Sequence, residues 1–239
     1  SDFEPALNNV IVAVLDTGVA YENYTDAQSR IHLQAPDFAD VTFVSGYDFV
    51  NNDAHPNDDH QHGTHIAGII AARGKVAGVA PGVKIMPVKV LNANRRGTEL
   101  QVIEGIYHAV ENGAHIINMS LSFSFGYFPS SALQSAMDYA AAAGVVMVAS
   151  AGNTDSYGVT YPAAFPEVIS VGGTQFDNSL VSSGSYSFLK PSRANYSERG
   201  YRLDIMAPAG STQTDRNFDG RPDAILGPGI SLNRPDQLA

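Results

Sequence analysis

The chain of 239 residues contains no cysteine, no tryptophan and only four lysines. Without cysteine it has no disulfides, no thiolate–zinc site and no cysteine nucleophile. No apolar run approaches the ~20 residues of a membrane-spanning helix, so we expect no membrane partner. The formal net charge of −10 argues against nucleic acid as a partner, because phosphate binding relies on clustered basic side chains. An acidic composition poor in lysine suits a secreted, calcium-binding protein, and a first residue other than Met fits a mature product whose leader and pro-segment have been removed.

What is present is a regular alternation of short apolar segments and helical patterns. The predicted strands are residues 10–15, 84–91, 115–121, 145–149, 168–171 and 203–207, and the predicted helices are residues 63–73, 99–112 and 131–143. Apolar strands that alternate with helices indicate an α/β fold with a mostly parallel sheet covered on both faces. The length predicts one domain over residues 1–239. Ligands of such sheets bind outside the carboxyl ends of the strands, where Asp16, Ser120 and Asn153 are predicted to converge.

Three polar residues stand in contexts that suggest catalysis. Asp16 ends an apolar strand before Thr17-Gly18, His62 opens a helix through Gly63, and Asn153 follows another strand. A serine hydroxyl becomes nucleophilic when an imidazole accepts its proton, and a buried carboxylate orients that imidazole. An asparagine amide can stabilise the oxyanion that forms. Asp-Thr-Gly also occurs in aspartic proteases, but those need a second such loop or a dimer and a mostly β sequence.

In this order the three motifs, together with the residues at 118–122 and 161–163, resemble the subtilisin-like serine proteases, the subtilases. The resemblance runs over residues 10–208. It implies a secreted, extracellular serine endopeptidase with polypeptide substrates, built as a three-layer α/β sandwich, with Asp16 and His62 in a triad and Asn153 in the oxyanion hole. The related sedolisins place acidic residues at the positions of His62 and Asn153, so we expect a neutral-to-alkaline enzyme.

The resemblance also implies a groove in which substrate binds as an added β-strand. The residues that match its walls and its main pocket are Arg96, Gly97, Ser120, Leu121, Ser122, Ala151, Gly152 and Thr160. Thr160 replaces a frequent glycine, which predicts a shallower pocket. Ser122 replaces a common glycine, and Arg95 and Arg96 replace small residues. These departures either narrow the groove or favour acidic substrate residues, unless the arginines are merely solvated.

Two segments are candidates for Ca2+ sites. The first alternates oxygen-bearing residues around Gly220 and comprises Asp215, Asn217, Asp219, Arg221 and Asp223; it is no EF-hand, because Leu226 occupies the position of the bidentate glutamate. The second resembles a calcium site of thermitase-like subtilases and comprises Asp48, Asp53, Asn57 and the carbonyl of His55, with Asn51 in place of a carboxylate. A rival metal site would use His60, His62 and His65, with Asp58 and Asp59 nearby; the alternative is a packed His65 and a solvated His60.

The segment that should carry the serine, Gly-Thr-Ser-Met-Ala in the family, has no match in these 239 residues. Ser211 and Ser231 lack its helix-starting context. We therefore expect that this chain is an incomplete catalytic domain, inactive alone, and that a C-terminal fragment of the same protease supplies the serine, for example after nicking near Ala239. The alternative is a non-catalytic, calcium-stabilised peptide-binding or regulatory module.

Overall fold

The computed structural model describes residues 7–183 and 186–210, together with Ile225 and Pro228. The described residues form two compact units. The first unit holds residues 7–120 and 128–147 with Pro228, and the second holds residues 121–127, 148–183 and 186–210 with Ile225.

Each of the six predicted apolar segments coincides with or overlaps a strand of the structure. In chain order they are β1 Ile11–Asp16, β2 Tyr24–Thr25, β3 Ile31–His32, β4 Tyr47–Asp48, β5 Lys84–Lys89, β6 Ile116–Met119, β7 Val146–Ser150, β8 Val168–Ser183, β9 Tyr186–Arg193 and β10 Ile205–Pro208. In the first unit β6, β1, β5 and β4 lie side by side and all pair in parallel. Five of the six residues of β1 are buried, as expected for a parallel strand covered on both faces.

Three α-helices complete the first unit: α1 His62–Ala71, α2 Glu99–Glu111 and α3 Ser131–Ala142. Each begins within one residue of its predicted start. Thr98 and Gln101 form a capping box at α2, which satisfies amides that would otherwise lack partners. Helix α1 ends two residues earlier than predicted, because the amide of Arg73 donates to the carbonyl of Asp37 and leaves the helical path.

The core of the first unit packs helix and loop side chains against the central strands. Phe38, Leu15, Ile85 and Ile106 are fully buried. Small residues on α1, such as Ala67, are buried as well, so this helix approaches the sheet closely. The close approach brings the first residue of α1 to the carboxyl end of β1.

In the second unit β8 pairs in parallel with β10 and antiparallel with β9. The strand predicted at 168–171 is the start of a 16-residue strand, and β9 was not predicted at all. The segment 186–193 carries Ser187, Lys190 and Ser192 among its apolar residues and lacks the continuous apolar run that marked the other strands. The α/β class and the mostly parallel sheet are confirmed, with this antiparallel pair as an addition.

Candidate active site

The central feature of the first unit is a carboxylate–imidazole pair. Asp16, the last residue of β1, is fully buried, and its Oδ1 and Oδ2 lie 2.8 and 3.0 Å from Nδ1 of His62. The amide of Thr17 donates to the same carboxylate at 2.7 Å. With Nδ1 engaged by the carboxylate, Nε2 is the nitrogen left to exchange a proton with another group. The His62 side chain is 31% exposed, so the ring is both held and accessible.

The environment of the imidazole raises the pKa of His62 above its ordinary value. The hydrogen bond that Nδ1–H of His62 donates to Asp16 is the main cause; desolvation opposes it, and the negative charges of Asp16 and Asp58 support it. The positive charge of Arg95 acts in the opposite direction. The pair therefore stabilises the imidazolium that forms when His62 accepts a proton.

Asp58, which the sequence analysis treated only as a neighbour of a metal site, organises the start of α1. Its buried carboxylate accepts hydrogen bonds from the Thr17 hydroxyl at 2.9 Å, from the amides of His60 and Gln61, and from the amide and hydroxyl of Thr64. These bonds satisfy amides at the helix start and place a negative charge at the positive end of the helix dipole. Asp58 thereby fixes the position from which the imidazole projects.

Lys89 is a second residue that holds the segments of this site together, and the sequence analysis did not identify it. It stands opposite Asp16 in the β1–β5 register and is 1% exposed. Its Nζ donates to the carbonyl of Thr17 at 2.5 Å, to Asp59 Oδ1 at 2.7 Å and to the carbonyl of Leu91 at 2.9 Å. The buried ammonium thus joins the end of β1, the turn before α1 and the segment after β5.

The predicted groove residues of the first unit are Arg96, Gly97 and Ser120. The amides of Val90 and Leu91, which follow β5, donate to the carbonyl of Asp16, so the turn that carries Arg95 and Arg96 begins beside the end of β1. A Cβ on Gly97 would lie 2.1 Å from the carbonyl oxygen of Val90, so no larger residue fits.

The other predicted wall of the substrate groove begins at Ser120, where the chain leaves β6. This residue follows directly after the strand, and its hydroxyl accepts a 3.0 Å hydrogen bond from Asn118. The parallel pairing of β1 and β6 therefore places Asp16 and Ser120 at the carboxyl ends of neighbouring strands.

The second unit holds the other predicted residues. Leu121 is buried and Ser122 is exposed at the start of this unit. The amide and hydroxyl of Thr160 both donate to the carbonyl of Ala151, at 3.0 and 3.2 Å, which joins two of the predicted pocket residues. Gly152 has a φ of +119°, which favours glycine.

Asn153 is exposed, and among the described residues none pairs with its amide side chain. The residues around it are held by Glu198, a fully buried carboxylate that the sequence analysis missed. An oxyanion donor needs an amide that is not already hydrogen-bonded within the protein. The unpaired side-chain amide of Asn153 is therefore compatible with its predicted role.

The second calcium candidate lies in the first unit. Asp48 and Asp53 exchange backbone hydrogen bonds of 2.9 and 3.1 Å, and both oxygens of Asp48 accept hydrogen bonds from Asn51. Nδ2 of Asn57 donates to Glu22, whereas its Oδ1 is buried without a hydrogen-bond partner. An orphaned buried oxygen fits a hard cation. Within residues 7–183 and 186–210, however, no three acidic or histidine side chains are arranged to hold a metal ion.

Among the histidines of the rival metal site, His62 pairs with Asp16. His60 is partly exposed, but its Nδ1 is buried without a hydrogen-bond partner in the part of the chain that the structure describes. His55 donates its amide to Asp53 and its ring stacks on Tyr24 at 3.8 Å. The first calcium candidate, Asp215 to Asp223, lies outside the described residues, as do Ser211 and Ser231.

An α/β fold that presents a buried carboxylate–imidazole pair at the carboxyl end of a parallel strand defines a class of candidate hydrolases. The family model described as "Subtilase family" matches residues 8–227. The chain is 36% identical over 207 residues to subtilisin DY of Bacillus licheniformis, covering 84% of this chain and 64% of that protein. It is 33% identical to subtilisin BL of Lederbergia lenta, covering 95% of this chain and 73% of that protein.

A solved structure of a cold adapted subtilisin-like serine proteinase matches with a TM-score of 0.65 and 34% identity, over 85% of this chain and 64% of that chain. The chain therefore belongs to the subtilase family of subtilisin-like serine proteases. It spans less than two thirds of the length of subtilisin DY and of that solved chain.

Proposed function

We propose that this chain is the larger part of a serine endopeptidase that hydrolyses peptide bonds through an Asp–His–Ser triad. The observation that carries the proposal is the Asp16–His62 pair, with a buried carboxylate 2.8 Å from Nδ1 of an imidazole that is 31% exposed. A protein that only binds peptides has no use for this pair, because it improves proton transfer rather than affinity.

In this mechanism Asp16 holds the tautomer in which Nε2 of His62 is the base. His62 accepts the proton of the serine hydroxyl as the oxygen attacks the scissile carbonyl, and later returns it to the leaving amine. Asn153 donates from its side chain to the oxyanion. Loss of such a donor costs about 10²–10³ in kcat, the range known for the corresponding asparagine of subtilisin itself, a relative of this chain.

The serine, we propose, comes from a C-terminal segment of the same protease outside these 239 residues. Residues 1–239 would then be an incomplete catalytic domain that is inactive by itself. The support is the intact pair at Asp16 and His62, together with the absence of a Gly-Thr-Ser-Met-Ala match in the sequence.

The substrates are proposed to be polypeptides that bind as an extended strand between Arg96–Gly97 and Ser120–Ser122, with a side chain in a pocket lined by Ala151, Gly152 and Thr160. The resemblance of these segments to the groove of the subtilases supports this mode, in which main-chain hydrogen bonds provide affinity without a sequence requirement. We further propose that the enzyme acts outside the cell, in keeping with its kinship to subtilisins. None of the helices in the described part of the chain is long and apolar enough to cross a membrane.

Calcium binding is also proposed, with Asp48, Asp53, Asn57 and the His55 carbonyl as one set of ligands and the 215–223 loop as another. The orphaned Oδ1 of Asn57 supports the first set. Burial raises the pKa of Asp48, and a nearby cation would counteract that rise. Calcium titration by calorimetry, with Asn57→Ala as the variant and the exposed Asn94→Ala as the control, tests this set. Equal heats for wild type and Asn57→Ala would contradict it.

The function is tested by hydrolysis of an unfolded polypeptide by the complete protease, that is, this chain with its serine-bearing segment. We expect activity in the wild type, a loss of several orders of magnitude in His62→Gln, and none in residues 1–239 alone. Undiminished activity in His62→Gln would refute the mechanism. Peptide binding without hydrolysis by the complete protein would instead establish the peptide-binding module.

A further inference from the structure

Glu198 is a fully buried carboxylate in the second unit that the proposed triad does not use. In the part of the chain that the structure describes, no lysine, arginine or histidine forms an ion pair with it. Burying a carboxylate is costly unless hydrogen bonds replace the lost water. The groups that contact Glu198 should therefore show what its buried carboxylate does.

The three donors to Glu198 all come from one short loop. Oε1 accepts hydrogen bonds from the amide and the hydroxyl of Thr154 at 3.0 and 2.6 Å, and Oε2 accepts one from the amide of Ser156 at 2.5 Å. Hydrogen bonds to an ionised acceptor are about twice as strong as those between neutral groups. The carboxylate thus fixes the backbone directly after Asn153.

Glu198 also contacts the residue directly before Asn153. Its amide donates to the carbonyl of Gly152 at 3.4 Å, and a Cβ on Gly152 would lie 2.8 Å from Cγ and Oε1 of Glu198. The absent side chain at position 152 is what allows the loop to lie against the carboxylate. Asn153 is therefore held through its neighbours on both sides, while its own side chain is left exposed.

Asp155, the other acidic residue of the loop, does not explain how the loop is held in place. Asp155 pairs with Arg193 at 2.9 Å and with Arg199 at 3.6 Å, but its side chain is 49% exposed. Exposed ion pairs contribute little, because water screens them and the long side chains lose entropy.

We propose that Glu198 is a positioning residue that holds the 152–156 loop so that the amide of Asn153 projects towards the developing oxyanion. The proposal rests on the proposed function only for the role of Asn153; the support of the loop by Glu198 stands separately. A direct role of the carboxylate in binding a cationic substrate side chain is the competing explanation, and the complete burial of Glu198 speaks against it.

The first test does not depend on catalysis. In Glu198→Gln one oxygen acceptor becomes an NH2 donor that faces an amide donor, so the amide resonances of Thr154 and Ser156 should shift and their hydrogen exchange should accelerate. Asp204→Asn is the matched control, because Asp204 accepts from the amide of Ser170 at 2.8 Å in the same unit. Unchanged Thr154 and Ser156 resonances in Glu198→Gln would overturn the proposal, even if the protein proves to have no protease activity.

The second test uses the complete protease, with the concentration of active sites determined by titration. We expect Glu198→Gln to lower kcat about tenfold or more with KM within about twofold, since small misplacements of catalytic groups can reduce rates by up to ~10²-fold. Asp204→Asn should leave both unchanged. In an Asn153→Ala background the effect of Glu198→Gln should disappear, because no oxyanion donor remains to be positioned. Equal effects in both backgrounds, or a selective loss for substrates with lysine in the pocket, would overturn the proposal.

Discussion

Replacement of the buried Lys89 should destabilise the protein strongly. Lys89→Met keeps most of the apolar stem and removes the ammonium that Asp59, Thr17 and Leu91 share. Breaking a fully buried ion pair costs about 3–5 kcal/mol, but Asp59 is 24% exposed and water can reach it. Each buried carbonyl left without its donor adds about 1–3 kcal/mol. Two such carbonyls at the low end of that range, together with the part of the ion-pair cost that water does not screen, predict that the free energy of unfolding falls by at least about 3 kcal/mol.

Urea denaturation followed by circular dichroism measures this loss directly. Lys75→Met is the control, since Lys75 is exposed and should change the free energy of unfolding by no more than about 0.5 kcal/mol. A decrease below about 1 kcal/mol for Lys89→Met would refute the reasoning that the ammonium is an essential partner of three separate segments.

Four further changes test the carboxylate–imidazole pair and the start of the helix that carries His62. Asp16→Asn removes the main cause of the raised pKa of His62, so NMR titration should find a lower pKa than in the wild type; an unchanged pKa would contradict the assigned hydrogen bond. Because the folded pKa is raised, the stability that protonated His62 adds is fully present below its unfolded pKa of about 6.5 and is lost as pH rises through the folded value. The difference in the free energy of unfolding between wild type and His62→Gln should shrink as the pH rises through that window. A difference that grows with pH would contradict the raised pKa of His62. Gly63→Ala places a Cβ 2.1 Å from the carbonyl of Gly18 and should cost about 1–3 kcal/mol in urea denaturation. Asp58→Ala should cost about 2 kcal/mol or more, because amides at the start of α1 lose their acceptor; a neutral effect would show that water replaces it.

The parts of the fold that the sequence predicted are those encoded locally. The buried run that ends at Asp16, the helix that begins at His62 and the helix that begins at Glu99 each depend on residues within a few positions of one another. Such patterns are visible without any knowledge of tertiary structure.

What the sequence did not predict depends on partners far apart in the chain. Lys89 pairs with Asp59 across 30 positions, and Glu198 with Thr154 across 44. A lone lysine or glutamate in a sequence more often marks a solvated surface than a buried organiser. Strand β9 was missed for a related reason, since it is defined by its antiparallel pairing with β8 rather than by an apolar run.

The central claim is that the Asp16–His62 pair activates a serine. Its most direct test is labelling of the complete protease with a fluorophosphonate, followed by peptide mapping, because only an activated serine reacts. The account predicts one labelled serine outside residues 1–239 and the loss of labelling in His62→Gln. Labelling of Ser211 or Ser231, or labelling that persists in His62→Gln, would contradict it.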